Sequence, residues 1–206
     1  MSAHSFWVLG IDPGQTGAVA ALRADMSEHR ILKMPMLGKF IDTAALRAFF
    51  ADLQLAGPIR HALLEKSQIM PSQGAVSGFT YGRNYGVLTT CLEFLGIPFG
   101  ETTPAKWKLA IIGPAAKFDV ACRESANEGD GTDCVSAPSQ SAKKRAIKEL
   151  AILTARRMFP AAGPFLKSQD GPAEAILIAE ASRRMVLHGS MNGMGKAAAL
   201  GMEISK

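Results

Sequence analysis

Six uncharged residues, Phe6-Trp-Val-Leu-Gly-Ile11, run straight into a carboxylate, Asp12. The run has the length and composition of a buried strand. Ending such a strand on an acid is unusual, because a carboxylate taken out of water without a partner is expensive. Pro13-Gly-Gln-Thr-Gly17 follows with turn chemistry. Ala18–Leu22 then reads as a second strand paired back on the first, and Arg30–Met34 as a third, stopped by Pro35. Two tight reversals at the start of a chain predict an antiparallel beginning to the sheet.

Beyond residue 40 the pattern alternates. Asp42 or Thr43 is placed to cap a helix carrying Leu46, Phe49, Phe50 and Leu53 at helical spacing, ended by Gly57-Pro58. Arg60–Glu65 reads as a fourth strand, Gly78–Leu95 as a helix closed by Gly96, and Ile97–Phe99 as a short fifth strand. Residues 113–140 hold Gly129-Asp-Gly131, Ala137-Pro-Ser139, two cysteines and few large apolar residues, and read as a long loop. Ser141 then caps an amphipathic helix with Ile147, Leu150, Ala151, Thr154 and Met158 on one face, stopped by Pro160. A last helix begins near Asp170, carries Pro172 in its first turn, and runs to Gly189. This order predicts one α/β domain over residues 1–189, a mixed sheet covered by helices, with 190–206 as a flexible tail.

Composition narrows the class. With 48% hydrophobic residues over 206 positions, a packed core is within reach. No apolar run approaches the roughly 18–20 residues of a membrane helix, so no membrane partner is expected. Three cysteines without a C-x-x-C pair argue against a disulfide framework and a structural zinc site. They point to a reducing compartment; with no targeting segment ahead of the first strand, a bacterial or phage-infected cytoplasm is expected. The 23 basic and 18 acidic residues leave a net charge of +5. Lys143, Lys144, Arg145, Lys148, Arg156 and Arg157 fall within fifteen residues of one another. Such a cluster fits a phosphate-binding face or a solvated helix face, and charge alone does not choose.

Four acids stand at element edges. Asp12 ends the first strand, Glu65 ends the fourth, and Asp170 and Glu174 open the last helix on one face of its first turn. Each alone has a plainer reading: a turn residue, a surface pair with Lys66, a helix cap, a partner for the helix dipole. Together they suggest an anionic cluster that needs a cation. Mg²⁺ or Mn²⁺ suits oxygen ligands with no thiol nearby. Two such ions in a basic protein can clamp a phosphodiester for hydrolysis.

Three segments carry a resemblance. Gly10-Ile-Asp-Pro-Gly-x-Thr-Gly-Ala18, Leu64-Glu-Lys-Ser-Gln68 and Asp170-Gly-Pro-Ala-Glu-Ala-Ile-Leu-Ile-Ala179 resemble the RuvC-type Holliday junction resolvases of the ribonuclease H-like superfamily. Gly78-Phe-Thr-Tyr-Gly82, Pro104-x-x-Trp-Lys108 and Phe159-Pro160 are most similar to the phage-encoded and chloroplast members. So is the four-residue spacing of the last two acids, where bacterial members have three. The likeness covers about residues 6–112 and 141–187; the 113–140 loop is longer than the family leads one to expect.

The resemblance implies a ribonuclease H-like five-stranded mixed sheet, three antiparallel strands followed by two parallel ones, flanked by helices. It implies a homodimer that nicks four-way junction DNA symmetrically, leaving 5′-phosphate and 3′-hydroxyl ends. It also implies two Mg²⁺ or Mn²⁺ ions held by Asp12, Glu65, Asp170 and Glu174, and no nucleotide cofactor. Expected DNA contacts are Lys66 and Gln68 after the fourth strand, and Phe79, Tyr81 and Arg83 in the glycine-rich segment. Further contacts are expected at Lys106 and Lys108 around Trp107, and at Lys143, Lys144 and Lys148. Plainer readings stay open for several: Phe79 and Tyr81 as core aromatics, Trp107 as a core residue with snorkelling lysines. An actin-like ATPase or kinase, whose phosphate loop also follows a strand ending in Asp-x-Gly-x-Thr, is the competing class, together with related nucleases acting on other branched or hybrid substrates.

Overall fold

The computed structural model describes residues 6–66, 74–114, 139–166 and 170–191, except the side chains of Gln140, Lys144 and Asp170. The first apolar run is strand β1 (Trp7–Asp12), followed by β2 (Ala18–Arg23) and β3 (His29–Lys33). Strand β6 (Ile59–Glu65) and β7 (Phe99–Thr102) complete a five-stranded sheet in the order β3-β2-β1-β6-β7. β1, β2 and β3 pair antiparallel; β6 lies parallel to β1, and β7 parallel to β6. This is the expected ribonuclease H-like plan of three antiparallel strands followed by two parallel ones.

Each face of the sheet is covered. On one side lie α1 (Thr43–Ala56) and α2 (Ala75–Phe94), whose Leu46, Phe50, Leu53, Leu88 and Leu92 pack on Leu9, Ile11, Val19, Ala62 and Leu64. On the other lie α3 (Pro104–Ile112), α4 (Gln140–Met158) and α5 (Asp170–His188). There Trp107, Ala151, Ala155 and residues 173–181 of α5 pack on Val8, Ala20, Leu22 and Leu63. The strict alternation of β1 and β6 residues between the two cores is the two-residue period of a strand buried on both faces. α5 lies closest to the sheet. Its centre crosses β1 at Gly10, where an added Cβ would meet the Ala179 nitrogen at 2.0 Å.

Several boundaries differ from the sequence-based expectation, each for a local reason. The fifth strand runs over Phe99–Thr102 and not Ile97–Phe99. Pro98 has no N–H, so its carbonyl accepts from Ala62 but the ladder begins one residue later. Asp42 is the cap of α1, accepting from the Ala44 and Ala45 amides. Ser139, not Ser141, caps α4, accepting from Ala142 N. α2 starts at Ala75, ahead of Gly78, and no atom approaches within 4 Å of a Cβ placed on Gly82. The glycine-rich segment therefore lies inside the helix rather than at its entry. α3, a 3₁₀ helix over Pro160–Leu166, and the hairpin of β4 (Met36–Leu37) and β5 (Phe40–Ile41) were not foreseen. Gln68, most of the 113–140 loop with Cys122 and Cys134, and residues 192–206 of the tail lie outside the described residues. Among the described residues, no helix is long and apolar enough to cross a membrane.

Candidate active site

The site starts from register. Ile11 pairs with Leu64 across the parallel β1–β6 ladder, so Asp12 and Glu65 are the next residues on adjacent strands. Neighbouring strands lie about 4.8 Å apart, which sets the two backbones side by side at the carboxyl edge of the sheet. That edge is where open α/β sheets place their ligands. Ile11 and Leu64 belong to the core under α1 and α2, so by alternation Asp12 and Glu65 face the α3–α5 side.

α5 brings the remaining acids to that side. A Cβ on Gly171 would lie 2.0 Å from the Thr16 carbonyl oxygen, so the start of α5 is pressed against the turn that follows Asp12. The backbone at Asp170 is thereby set beside this turn; its side chain lies outside the described atoms. Glu174, four residues on, is buried at 8% exposure. Asp12 is held within its own turn, where Oδ1 accepts from Gly14 N at 3.1 Å.

Two consecutive residues of α3 tie the acids together. Trp107 Nε1 donates to Glu65 Oε2 at 2.6 Å, and Lys108 Nζ lies 2.6 Å from Glu174 Oε1. The lysine contact is an ion pair lacking hydrogen-bond alignment; Glu174 Oε1 is buried and has no hydrogen-bond partner. Lys108 also sits 5.1 Å from the Trp107 ring centroid. Neither α3 nor this use of Trp107 was anticipated, although Thr103-Pro104 carries a recognisable start signal of cap followed by proline in the first turn.

The opposite face of the same edge is polar too. Glu101 of β7 accepts from Lys66 Nζ and from Tyr85 Oη, each at 2.6 Å. Burial pushes the Glu101 carboxyl up, but these two donors more than offset it and hold it below the usual glutamate range. Burial and the same carboxylate push the Tyr85 hydroxyl well above its ordinary value. Beside this network a cleft of about 550 Å³ opens between Pro13–Gln15, Lys39 and the first turns of α2.

The expected DNA contacts distribute unevenly. Phe79 stands out from α2 at 71% exposure, which removes its reading as a core aromatic. Tyr81 lines the cleft and packs on Tyr85, with ring centroids 5.8 Å apart. Arg83 stacks its guanidinium 3.5 Å from the Phe40 ring centroid. Lys106 and Lys148 are exposed, Lys143 is half-buried, and the Lys144 side chain lies outside the described atoms. Lys108 is taken up by Glu174, and Trp107 is a core residue with a polar task. α4, which carries the lysine cluster, packs on α3 and α5, in the layer that holds the acids.

No protein-family model matches the sequence, and no curated protein matches it. Among solved structures the chain is similar to Thermus thermophilus RuvC, with 16% identity, covering 87% of this chain and 96% of that one, at a TM-score of 0.45. It is also similar to T. thermophilus RuvC in complex with Holliday junction substrate, with 19% identity, 74% and 96% coverage, and a TM-score of 0.40. Both similarities are weak, and the fold stands on this chain's own strand order and directions.

The donors suit a hard divalent cation. They are carboxylates, and one of them, Glu174, is buried with a cationic partner already beside it, the Lys108 ammonium. Among the described residues no three acidic, histidine or cysteine side chains gather around one point. Mg²⁺ keeps several waters and commonly takes only one or two carboxylates, so adjacent pairs meet its needs.

Proposed function

We propose that this protein is a metal-dependent endonuclease that resolves four-way DNA junctions, as a homodimer making two symmetric nicks with 5′-phosphate and 3′-hydroxyl ends. The observation that supports the reading is that Asp12 and Glu65 end adjacent parallel strands at the carboxyl edge of β1 and β6, with the start of α5 pressed on the turn that follows Asp12. The motifs around those acids supply the junction-resolvase assignment. A two-fold dimer suits a junction with two equivalent scissile phosphates.

In this reading Asp12, Glu65, Asp170 and Glu174 hold two Mg²⁺ or Mn²⁺ ions. Bound there, the ions supply an activated water and neutralise charge on the scissile phosphate. The protein's part is positional. β1 and β6 present two carboxylates from a rigid sheet, and α5 presents the others from a helix pinned against β1. Lys108 offsets negative charge next to Glu174, and exposed Lys106 and Lys148 offer phosphate contacts on the same side. Phe79 offers an exposed ring for stacking on an opened base, with Tyr81, Arg83 and Lys66 along the other side of the edge.

The test is nicking of a synthetic four-way junction with sequenced products. The unmodified protein is expected to cut in Mg²⁺. Asp12→Asn and Glu174→Gln are expected to lose cutting and to keep junction binding. Full cleavage by either variant overturns the site. Preferential cutting of flaps or RNA–DNA hybrids retains the nuclease chemistry and overturns the junction substrate.

A further inference from the structure

We infer that Trp107 is a positioning residue for Glu65: its indole N–H fixes the orientation of that carboxylate at the edge of the sheet, ready for a divalent cation. The inference rests on the nuclease reading and adds a residue to it.

The geometry is specific. Glu65 is the last residue of β6 and 6% exposed, and its Oε2 accepts from Trp107 Nε1 at 2.6 Å. A strand end sets the glutamate backbone but leaves three side-chain torsions to be ordered, at a cost in conformational entropy. The indole meets that cost in advance. Trp107 is fully enclosed by the α3–α5 core, so its ring is not free to follow the carboxylate. An indole can only donate, and an ionised carboxylate offers about four acceptor positions, so the bond occupies one without exhausting them. This is the arrangement by which partners behind a ligand orient it towards a metal.

The bond is not simply the toll for burying a tryptophan. Trp7 is also fully enclosed, and its Nε1 has no hydrogen-bond partner. The fold therefore tolerates a buried indole N–H without an acceptor, which leaves the pairing of Trp107 with an edge carboxylate to be explained by the carboxylate.

The experiment is calorimetric titration of MnCl₂ into the DNA-free protein, for the unmodified chain, Trp107→Phe, Glu65→Gln and the double variant. Nicking is followed in parallel against Mg²⁺ concentration. Trp107→Phe is expected to weaken Mn²⁺ binding about 10–100-fold. Its half-saturating Mg²⁺ should rise in step, while kcat at saturating Mg²⁺ stays within about threefold. On the Glu65→Gln background the same change should weaken Mn²⁺ binding no further, because the route through Glu65 is already gone. If Trp107→Phe does not fold, 3-benzothienylalanine at position 107 keeps the bicyclic shape without the N–H and carries the same expectation. Unchanged Mn²⁺ affinity in the folded variant, with the unmodified protein binding Mn²⁺, overturns the role of Trp107 and leaves the nuclease reading standing. No Mn²⁺ binding by the unmodified protein overturns both.

Discussion

Gly10 and Ala179 meet backbone to backbone. A Cβ on Gly10 would stand 2.0 Å from the Ala179 nitrogen and 2.3 Å from the Ala175 carbonyl oxygen. The missing side chain lets α5 lie directly on β1. With the Gly171–Thr16 contact, it sets how far along the strand Glu174 arrives.

Gly10→Ala is accordingly expected to be among the most damaging single changes in the chain. The obstructing atoms are helix backbone, which cannot rotate aside. Overpacking of this kind costs about 3 kcal/mol or more. Urea denaturation reads the loss directly; a cost under about 1 kcal/mol would show that α5 is free to lift from the sheet.

Lys108 and Glu174 form a pair whose side chains are only 17% and 11% exposed. Lys108→Met leaves a carboxylate buried without its counter-ion and is expected to cost about 3 kcal/mol. Adding Glu174→Gln removes the stranded charge and should restore most of that stability. The double variant should still fail to nick DNA, which separates stability from chemistry.

His61 gives the fold an acid sensitivity away from the acids of the edge. Its Nδ1 lies 2.8 Å from Ser182 Oγ, and its Nε2 is buried without a hydrogen-bond partner. Burial lowers its pKa from 6.5 to about 4. The unfolded chain therefore binds the proton more readily than the folded one between these values. The contribution of His61 to stability is present above about pH 6.5 and lost as pH falls towards 4, to a limit of about 3 kcal/mol. Urea midpoints measured across this window should fall with pH, and His61→Leu should flatten the part of the slope that His61 supplies.

Asn84 ties the β4–β5 hairpin to α2. It is 3% exposed, donates to the Lys39 carbonyl at 3.0 Å, and accepts from Ile41 N at 3.3 Å. Asn84→Ala strands both backbone groups, at about 2 kcal/mol. Amide exchange at Ile41 should quicken while exchange in β1 keeps its ranking. Unaltered protection at Ile41 would mean that the Met36–Ile41 pairing holds the hairpin without help.

Much of the scaffold was readable in the chain, because strand period, turn residues and helix caps are local. The Phe6–Ile11 run, Asp42 as cap, Pro172 in the first turn of the last helix, and the antiparallel start of the sheet all follow from neighbours within a few residues, whereas the two parallel strands were implied by the family resemblance. The short elements did not. β4 and β5 have two residues each, too few to show a period, and α3 is a nine-residue helix that buries one large side chain, Trp107. Around the candidate site, residue types and positions at element edges singled out the four acids, and Phe79 as a side chain with a choice of surroundings.

Sequence alone determined which residues could carry charge at the ends of apolar elements, since putting an acid there is costly wherever the chain folds. Only the tertiary structure decided which acids are neighbours and what holds them. The β1–β6 register, the contact of α5 on Gly10, and the placing of Trp107 and Lys108 against Glu65 and Glu174 join residues 42 to 169 positions apart or are settled by packing across layers. No local pattern encodes a distance between residues so far apart along the chain.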